Sequence, residues 1–206
     1  MSAGGHEVEA KFYIRDLPRS RERLEQAGAR LIQSRVLETN LRFDLPGAPL
    51  RAEGRVLRLR RDTDVRLTYK SASTNEDGVL RREEIEFKIE DFETAKRFLE
   101  ALGYQKLVSY EKYRTTYDLN GTAIMLDELP YGNFVEIEGE TSTSIRAVAS
   151  LLELNWEAAI AASYHALFDR VRKSMRLSAE DLSFATFAAI QVAAEDLEVV
   201  AADRAD

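Results

Sequence analysis

The chain has 206 residues, 45% hydrophobic and 32% charged, with no cysteine, two histidines and a formal net charge of −7. That length suits one large domain better than two small ones, and the composition excludes disordered, collagen-like and fibrous chains. Without cysteine there are no disulfides, thiolate metal sites or cysteine nucleophiles, so a bound metal is expected to be a hard cation on carboxylates.

The acidity is local. From Ser178 to Asp206 there are seven acids and one base, Arg204, a net of −6, so the first 177 residues are close to neutral. No run of about 18 apolar residues occurs, and Met1 to His6 lacks the basic flank and apolar core of a signal peptide, so the expected location is cytoplasmic, with no membrane partner.

In chain order, His6 beside Gly4-Gly5 is expected in a disordered leader. Alternation of apolar and polar residues predicts strands over Glu7–Ile14, Leu31–Leu45 with a break near Glu38–Asn40, and Arg55–Arg61. It continues over Val65–Ser71, Leu80–Ile89, Lys106–Leu119, Thr122–Glu128 and Asn133–Glu140. Helical spacing predicts Pro18–Ala27, closed by Gly28, and Phe92–Leu102, opened by Asp91 and closed by Gly103. Three more helices are expected over Ser144–Leu154, Glu157 to about Met175, and Ala179 to about Val200, the last with Ser178 and Asp181 as a capping pair. Turn residues at 46–49, 75–78, 120–121 and 132–133 join consecutive strands over short distances, which implies antiparallel neighbours.

One parity of these strands is charged. Glu7, Glu9 and Lys11 alternate with Val8 and Ala10; Arg58 and Arg60 alternate with Leu57 and Leu59. The pattern repeats with Lys70, with Arg82, Glu84 and Glu86, with Lys112 and Arg114, with Asp127, and with Glu136 and Glu138. Side chains alternate across a sheet, so seven bases and seven acids share one face. In any single strand this is an ordinary solvated face. Taken jointly, with helices covering the apolar face, the charges line the inside of a closed or nearly closed barrel.

Charges withdrawn from bulk water need compensation, and mutual pairing rarely supplies all of it. Converging guanidinium and ammonium groups suit phosphate oxygens, while clustered carboxylates suit Mg2+ or Mn2+ bridging to phosphate. A polyanion such as triphosphate with one or two divalent cations leaves such a site near neutrality. The sequence has no GxxxxGK[ST], GxGxxG or HExxH motif, so the phosphates are expected on strand side chains rather than on backbone amides.

Glu7-x-Glu9-x-Lys11 resembles the ExExK signature of the CYTH, or triphosphate tunnel metalloenzyme, superfamily. The resemblance continues in order through Leu57–Arg60, Leu67–Lys70, Arg82-x-Glu84-x-Glu86, Lys112-x-Arg114, Leu126-Asp127 and Gly132–Glu138, and ends at Ser163-Tyr164. It implies an α+β fold, an eight-stranded antiparallel barrel with helices packed outside, over residues 1–176. Residues 177–206 then form an acidic helical extension. It implies Glu7, Glu9, Glu136 and Glu138, with Asp127, as metal ligands, and Glu84 and Glu86 toward a second metal or as counter-charges. Lys11, Arg58, Arg60, Lys70, Arg82, Lys112 and Arg114 would grip the triphosphate, with Lys11, Glu9 and Glu136 in catalytic roles. Asn40-Leu41-Arg42-Phe43-Asp44 is less aromatic than the second strand this resemblance implies.

Three functions fit these charges. The first is metal-dependent hydrolysis of inorganic triphosphate, thiamine triphosphate or a nucleoside triphosphate. The second is a class IV adenylyl cyclase, converting ATP to cyclic AMP and pyrophosphate. The third is a non-catalytic polyphosphate or nucleotide sensor. Nucleic acid is not an expected partner, because no exposed basic run with interleaved aromatics occurs. His165 is expected in packing, Trp156 in the core, and Lys96 and Lys106 in solvent. The apolar residues Leu182, Phe184, Phe187, Ile190 and Val192 are expected to pack on the barrel or on a second copy of the chain in a homodimer.

Overall fold

A computed structural model describes residues 5–178 and 181–203. The chain runs β1 (Gly5–Ile14), α1 (Leu17–Gln26), β2 (Arg30–Asp44), α2 (Pro49–Ala52), β3 (Val56–Arg61), β4 (Val65–Lys70), β5 (Thr74–Glu76) and β6 (Val79–Ile89). It continues with α3 (Phe92–Ala101), β7 (Gln105–Leu119), β8 (Thr122–Leu129), β9 (Gly132–Glu138), α4 (Ser142–Leu151) and α5 (Tyr164–Met175), with 3-10 turns at Trp156–Ala158 and Ala194–Leu197. Among the described residues no helix is long and apolar enough to cross a membrane.

The strands are ordered β1-β9-β8-β7-β2-β3-β4-β6, and β6 returns to β1, closing an eight-stranded antiparallel barrel. Strand β1 closes it by changing partners: Gly5–Glu9 pairs with β6, and Glu9–Ile14 pairs with β9. The short strand β5, which the alternation does not predict, pairs with the start of β6 through a turn at Asp77-Gly78, both at positive φ. Asn120-Gly121 makes the same kind of turn between β7 and β8.

Three clusters cover the outside. Val8, Ala10, Phe12 and Ile14 of β1 pack beneath α1 and α4, against Leu24, Ile145, Val148 and Leu152. Leu41, Phe43 and Leu59 pack under Phe92, Ala95 and Leu99 of α3. Leu167, Phe168 and Val171 of α5 join Phe134, Leu182, Phe187 and Leu197. The apolar residues therefore face the helices and the charged parity faces in. Helices do not cover everything: Ile85 and Phe87, on the outer face of β6, are 44% and 55% exposed.

Polar side chains cap the helix starts, at α3 with the Asp91 expected from sequence. Asp16 caps α1 through the Arg19 amide, Asp91 caps α3 through Thr94, and Ser163 caps α5 through Ala166. His6 lies in β1 and is exposed, not in a leader. Strand β2 is unbroken at Glu38–Asn40; its irregularities fall at Leu31–Gln33, Gln33–Val36 and Arg42–Phe43. The Pro46–Pro49 segment leads into α2, which is tied down by Asp44, whose carboxylate accepts from the amides of Leu50 and Arg51.

Two helix expectations are corrected. The helix expected from Glu157 starts only at Tyr164, because the preceding segment serves as an edge strand. Beyond Glu9, β1 has no neighbour on the β6 side, and Ile160 donates its amide to the Lys11 carbonyl at 2.8 Å while Ala159 bridges Phe12. The helix expected over 179–200 does not form among the described residues; its start at Ala179 lies outside them. The residues of this extension instead saturate open backbone edges. Leu182 pairs with β7 beyond the end of β8, through bonds with Ser109 and Glu111 at 2.9 Å each. Ala202 donates to the Tyr13 carbonyl, and Asp203 accepts from the amides of Arg15 and Asp16. An unpaired edge in a buried setting is costly, and these contacts outweigh the local helical preference. Asp181 caps the Ser109 amide and meets Lys106 at 3.4 Å rather than opening a helix.

Candidate active site

The barrel encloses a charged cavity of about 550 Å3. Of the predicted residues, Glu9, Lys11, Arg58, Arg60, Lys70, Arg82, Glu84, Glu86, Lys112, Arg114, Glu136 and Glu138 line it. Glu7 and Asp127 do not; they stand behind the lining, 6% and 0% exposed.

Register explains the groupings. Glu7 faces Arg82 across β1 and β6, Lys70 faces Glu84 across β4 and β6, and Lys11 faces Glu136 across β1 and β9. The Glu7 carboxylate accepts from Lys70 and from Arg82 Nε, while Arg82 Nη2 reaches Glu9 at 3.3 Å. Burial pushes the Glu7 carboxyl up, but Lys70 and Arg82 outweigh it and hold it at about 2. A second group joins Arg58, Arg60, Thr68 and Glu86: Arg60 donates to Glu86 at 3.1 Å, and Thr68 donates to it at 2.7 Å.

The third group is the deepest. Asp127 accepts from Arg114 Nε at 2.6 Å, Lys112 Nζ at 2.9 Å and the Tyr164 hydroxyl at 2.8 Å. Glu136 lies between Lys11, at 3.0 Å, and Arg114. Burial raises the Glu136 pKa, but Lys11 and Arg114 hold it well below the usual carboxylate range. Burial likewise disfavours charge on Lys11, yet Glu136 and Glu9 keep its pKa raised, so it stays an ammonium. The Tyr164 ring lies 4.5 Å from the Lys11 nitrogen and 5.1 Å from that of Lys112, a cation–π platform beneath both.

Several participants were not singled out in the sequence. Glu38 is 2% exposed and lies within 4 Å of Lys112, Arg60 and Arg114. Burial works against its charge, but those bases hold its carboxyl at about 2. Asn40 and Arg42 follow it on the same inward parity of β2, so the assumed break at Glu38–Asn40 hid them. The parity signal was there: Glu38, Asn40, Arg42 and Asp44 alternate with Leu37, Thr39, Leu41 and Phe43. His165 also lines the cavity rather than only packing. Burial and the charge of Arg42 lower its pKa to about 4, so it is neutral at pH 7. Trp156 is half-buried, its indole donating to the Asp77 carbonyl.

The carboxylates differ in how far they are satisfied. Glu7, Glu86, Glu136 and Asp127 each hold two or more hydrogen bonds from cationic or hydroxyl groups, and Glu84 meets Lys70 at 3.2 Å. Glu138 has no base within ion-pair distance among the described residues. Burial and the nearby charge of Glu7, with Glu84 and Glu9 beyond it, push its carboxyl up to about 7. As the side chains stand, no three carboxylates or imidazoles among the described residues could hold a metal ion between them. Glu9 and Glu138, opposite each other in the β1–β9 ladder, are the carboxylates that could hold a hard cation, which also takes oxygen ligands from water and anions. Such an ion would relieve the Glu138 repulsion. Asp127 and Glu136, expected as ligands, are engaged by other groups here: Lys112, Arg114 and the Tyr164 hydroxyl on Asp127, Lys11 and Arg114 on Glu136.

The comparisons agree with this architecture. The CYTH domain model matches residues 5–162. A Methanocaldococcus jannaschii protein named as a candidate adenylate cyclase is 30% identical over 138 residues, covering 66% of this chain and 78% of that protein. Among solved structures, a candidate adenylate cyclase from Vibrio parahaemolyticus superposes with a TM-score of 0.72 at 20% identity, over 81% of this chain and 99% of that one. A Pyrococcus horikoshii protein gives 0.66 at 26% identity, over 77% and 96%. A candidate adenylyl cyclase from Hippeastrum, described as having a dominant triphosphatase activity, gives 0.59 at 20% identity, over 79% and 95%. With its closed eight-stranded barrel, inward charges and a family match across most of its length, this chain belongs to the CYTH family.

Proposed function

We propose that this protein hydrolyses the triphosphate group of a small molecule, inorganic triphosphate, thiamine triphosphate or a nucleoside triphosphate, with Mg2+ or Mn2+ bound alongside it. The supporting observation is the polarity of the cavity wall. Ten basic and six acidic side chains line it, while Glu7, Glu38 and Asp127 stand behind the bases and hold them in place. Such a wall presents fixed positive charge to an anion without reorganisation, and phosphoryl transfer depends mainly on positioning and charge neutralisation.

In this reading Arg58, Arg60, Lys70, Arg82, Lys112 and Arg114 hold the non-bridging oxygens. Lys11, kept charged by Glu136, neutralises charge that develops at the reacting phosphoryl group. Glu9, whose carboxylate accepts only the 3.3 Å hydrogen bond from Arg82 among the described residues, orients the attacking water. A divalent ion held by Glu9 and Glu138 would supply electrostatic stabilisation of the phosphate oxygens.

The competing reading is ATP cyclisation, favoured by the name of the 30% identical M. jannaschii relative. Incubation with ATP and with tripolyphosphate, each with Mg2+ or Mn2+, separates the two. Orthophosphate release supports hydrolysis; cyclic AMP with pyrophosphate supports cyclisation. Tight binding with no product from either substrate would leave a sensor.

A further inference from the structure

The end of the cavity beside α2 and α5 holds groups that a triphosphate does not account for. Arg42 is 8% exposed and lines the cavity, yet no carboxylate or hydrogen-bond acceptor engages its guanidinium among the described residues. Burial lowers its pKa, the Tyr110 phenol opposes this, and the charges of Arg51, Arg58 and Arg82 lower it further, with no carboxylate among these neighbours. His165, also in the lining, is 9% exposed and neither ring nitrogen has a hydrogen-bond partner; its nearest acid is Asp169, at 3.7 Å. That carboxylate is already engaged by Arg51 at 2.5 Å. A buried guanidinium with no counter-charge is costly and is seldom kept without an occupant.

We propose that Arg42, Arg51 and His165 form an anion subsite for a fourth phosphoryl group, so that the cavity prefers linear polyphosphates of four or more phosphates to triphosphate. This rests on reading the cavity as a phosphate-chain site. Arg42 lies directly across from Arg58 in the β2–β3 ladder, which makes the subsite continuous with the row of Arg58 and Arg60. There is room for it. The thirteen heavy atoms of a triphosphate, each given a full water's share of about 30 Å3, occupy about 390 Å3, less than the cavity's 550 Å3. The Arg42 fork suits two oxygens of a phosphoryl group. The neutral His165 offers one N–H donor and one acceptor, which matches a terminal phosphate that carries a proton part of the time near neutral pH. A neutral nucleobase would leave the charge of Arg42 uncompensated.

The test is calorimetric binding of tripolyphosphate, tetrapolyphosphate and ATP in EDTA, which reads the subsite without turnover. The wild type is expected to bind tetrapolyphosphate about tenfold or more tighter than tripolyphosphate. Arg42→Ala removes that preference, Arg42→Lys keeps part of it, and His165→Phe reduces it. Equal wild-type affinities for the two chains, or ATP binding tighter than tetrapolyphosphate, would overturn the proposal, the latter pointing to a nucleobase as the occupant. The wild-type comparison needs no variant, so a misfolded Arg42→Ala does not affect it. Absence of orthophosphate release with Mg2+ or Mn2+ would overturn the hydrolase reading alone. Release with equal affinities would overturn the subsite alone.

Discussion

Glu138 stands directly opposite Glu9 in the β1–β9 ladder, two carboxylates at one register position. Like charges placed opposite each other in a sheet oppose folding, and here burial first, then the charge of Glu7, and to a smaller degree Glu84 and Glu9, outweigh the opposing pull of Lys70 and bring the Glu138 carboxyl up to about 7. Its folded pKa exceeds the ordinary carboxylate value, so between about pH 4.5 and pH 7 the native state binds the proton that the unfolded chain releases. Stability from this group therefore falls as pH rises through that window, by on the order of 3 kcal/mol at pH 8. In EDTA, Glu138→Gln is expected to melt above the wild type at pH 8 and level with it near pH 4. Added Mg2+ should raise the wild-type melting temperature at pH 8 and do little for the variant. Equal wild-type and Glu138→Gln melting curves at pH 8 would show that the repulsion is absent.

Glu38 makes the opposite prediction. It lies beneath Lys112, Arg114 and Arg60, and its carboxyl is held at about 2. Its stabilisation is present above about pH 4.5 and is lost as pH falls through its folded value. Removing its charge takes one shared counter-charge from three bases that keep Asp127, Glu136 and Glu86, so Glu38→Gln is expected to cost about 1–3 kcal/mol. Urea midpoints at pH 7 measure this. Tripolyphosphate, acting as a replacement counter-ion, should restore part of the loss.

Bases and acids should separate in kinetics. Arg60→Ala and Lys70→Ala, which remove cavity-lining bases proposed to hold the phosphates, are expected to raise KM about tenfold or more, since each removes charge-assisted hydrogen bonds. Glu9→Ala and Glu136→Ala should instead abolish turnover with Mg2+ or Mn2+. Full activity in both glutamate variants would rule out the proposed roles of these carboxylates, and activity that survives EDTA would rule out the metal.

Tyr164 links α5 to the cavity floor, its hydroxyl on Asp127 and its ring beneath Lys11 and Lys112. Tyr164→Phe keeps the ring and removes a hydrogen bond to a charged group, an expected loss of about 1.5–3 kcal/mol in stability. If the hydroxyl also positions Asp127 and the bases it holds, kcat falls while KM changes little. An unchanged kcat in a destabilised protein would leave Tyr164 a packing residue.

The C-terminal extension predicts a stability effect far from the cavity. Asp203 accepts from the amides of both Arg15 and Asp16, where β1 ends and α1 begins. Asp203→Ala is expected to lower stability by about 1–3 kcal/mol, because it leaves two partly buried amides unpaired. Its urea midpoint should fall while the tripolyphosphate affinity is unchanged.

Alternation of charged and apolar residues in β1, β3, β4, β6, β7 and β9 was enough to place twelve predicted side chains around one cavity, because a strand's two faces follow from a period of two. The cap at Asp91 and the Asn120-Gly121 turn were equally legible, since each acts within a few residues. What remained hidden depended on contacts distant in the chain. Nothing near Glu157 or Ala179 signals that β1 and β7 have open edges to fill, so helical spacing misled there. Nor does sequence show which carboxylates are taken up by bases: Asp127 and Glu138 look alike in their strands, yet one accepts four cationic or hydroxyl hydrogen bonds and the other has no base within ion-pair distance among the described residues and feels more negative than positive charge. That division is set by barrel closure, because only closure decides which strands, and hence which charges, come to lie opposite one another.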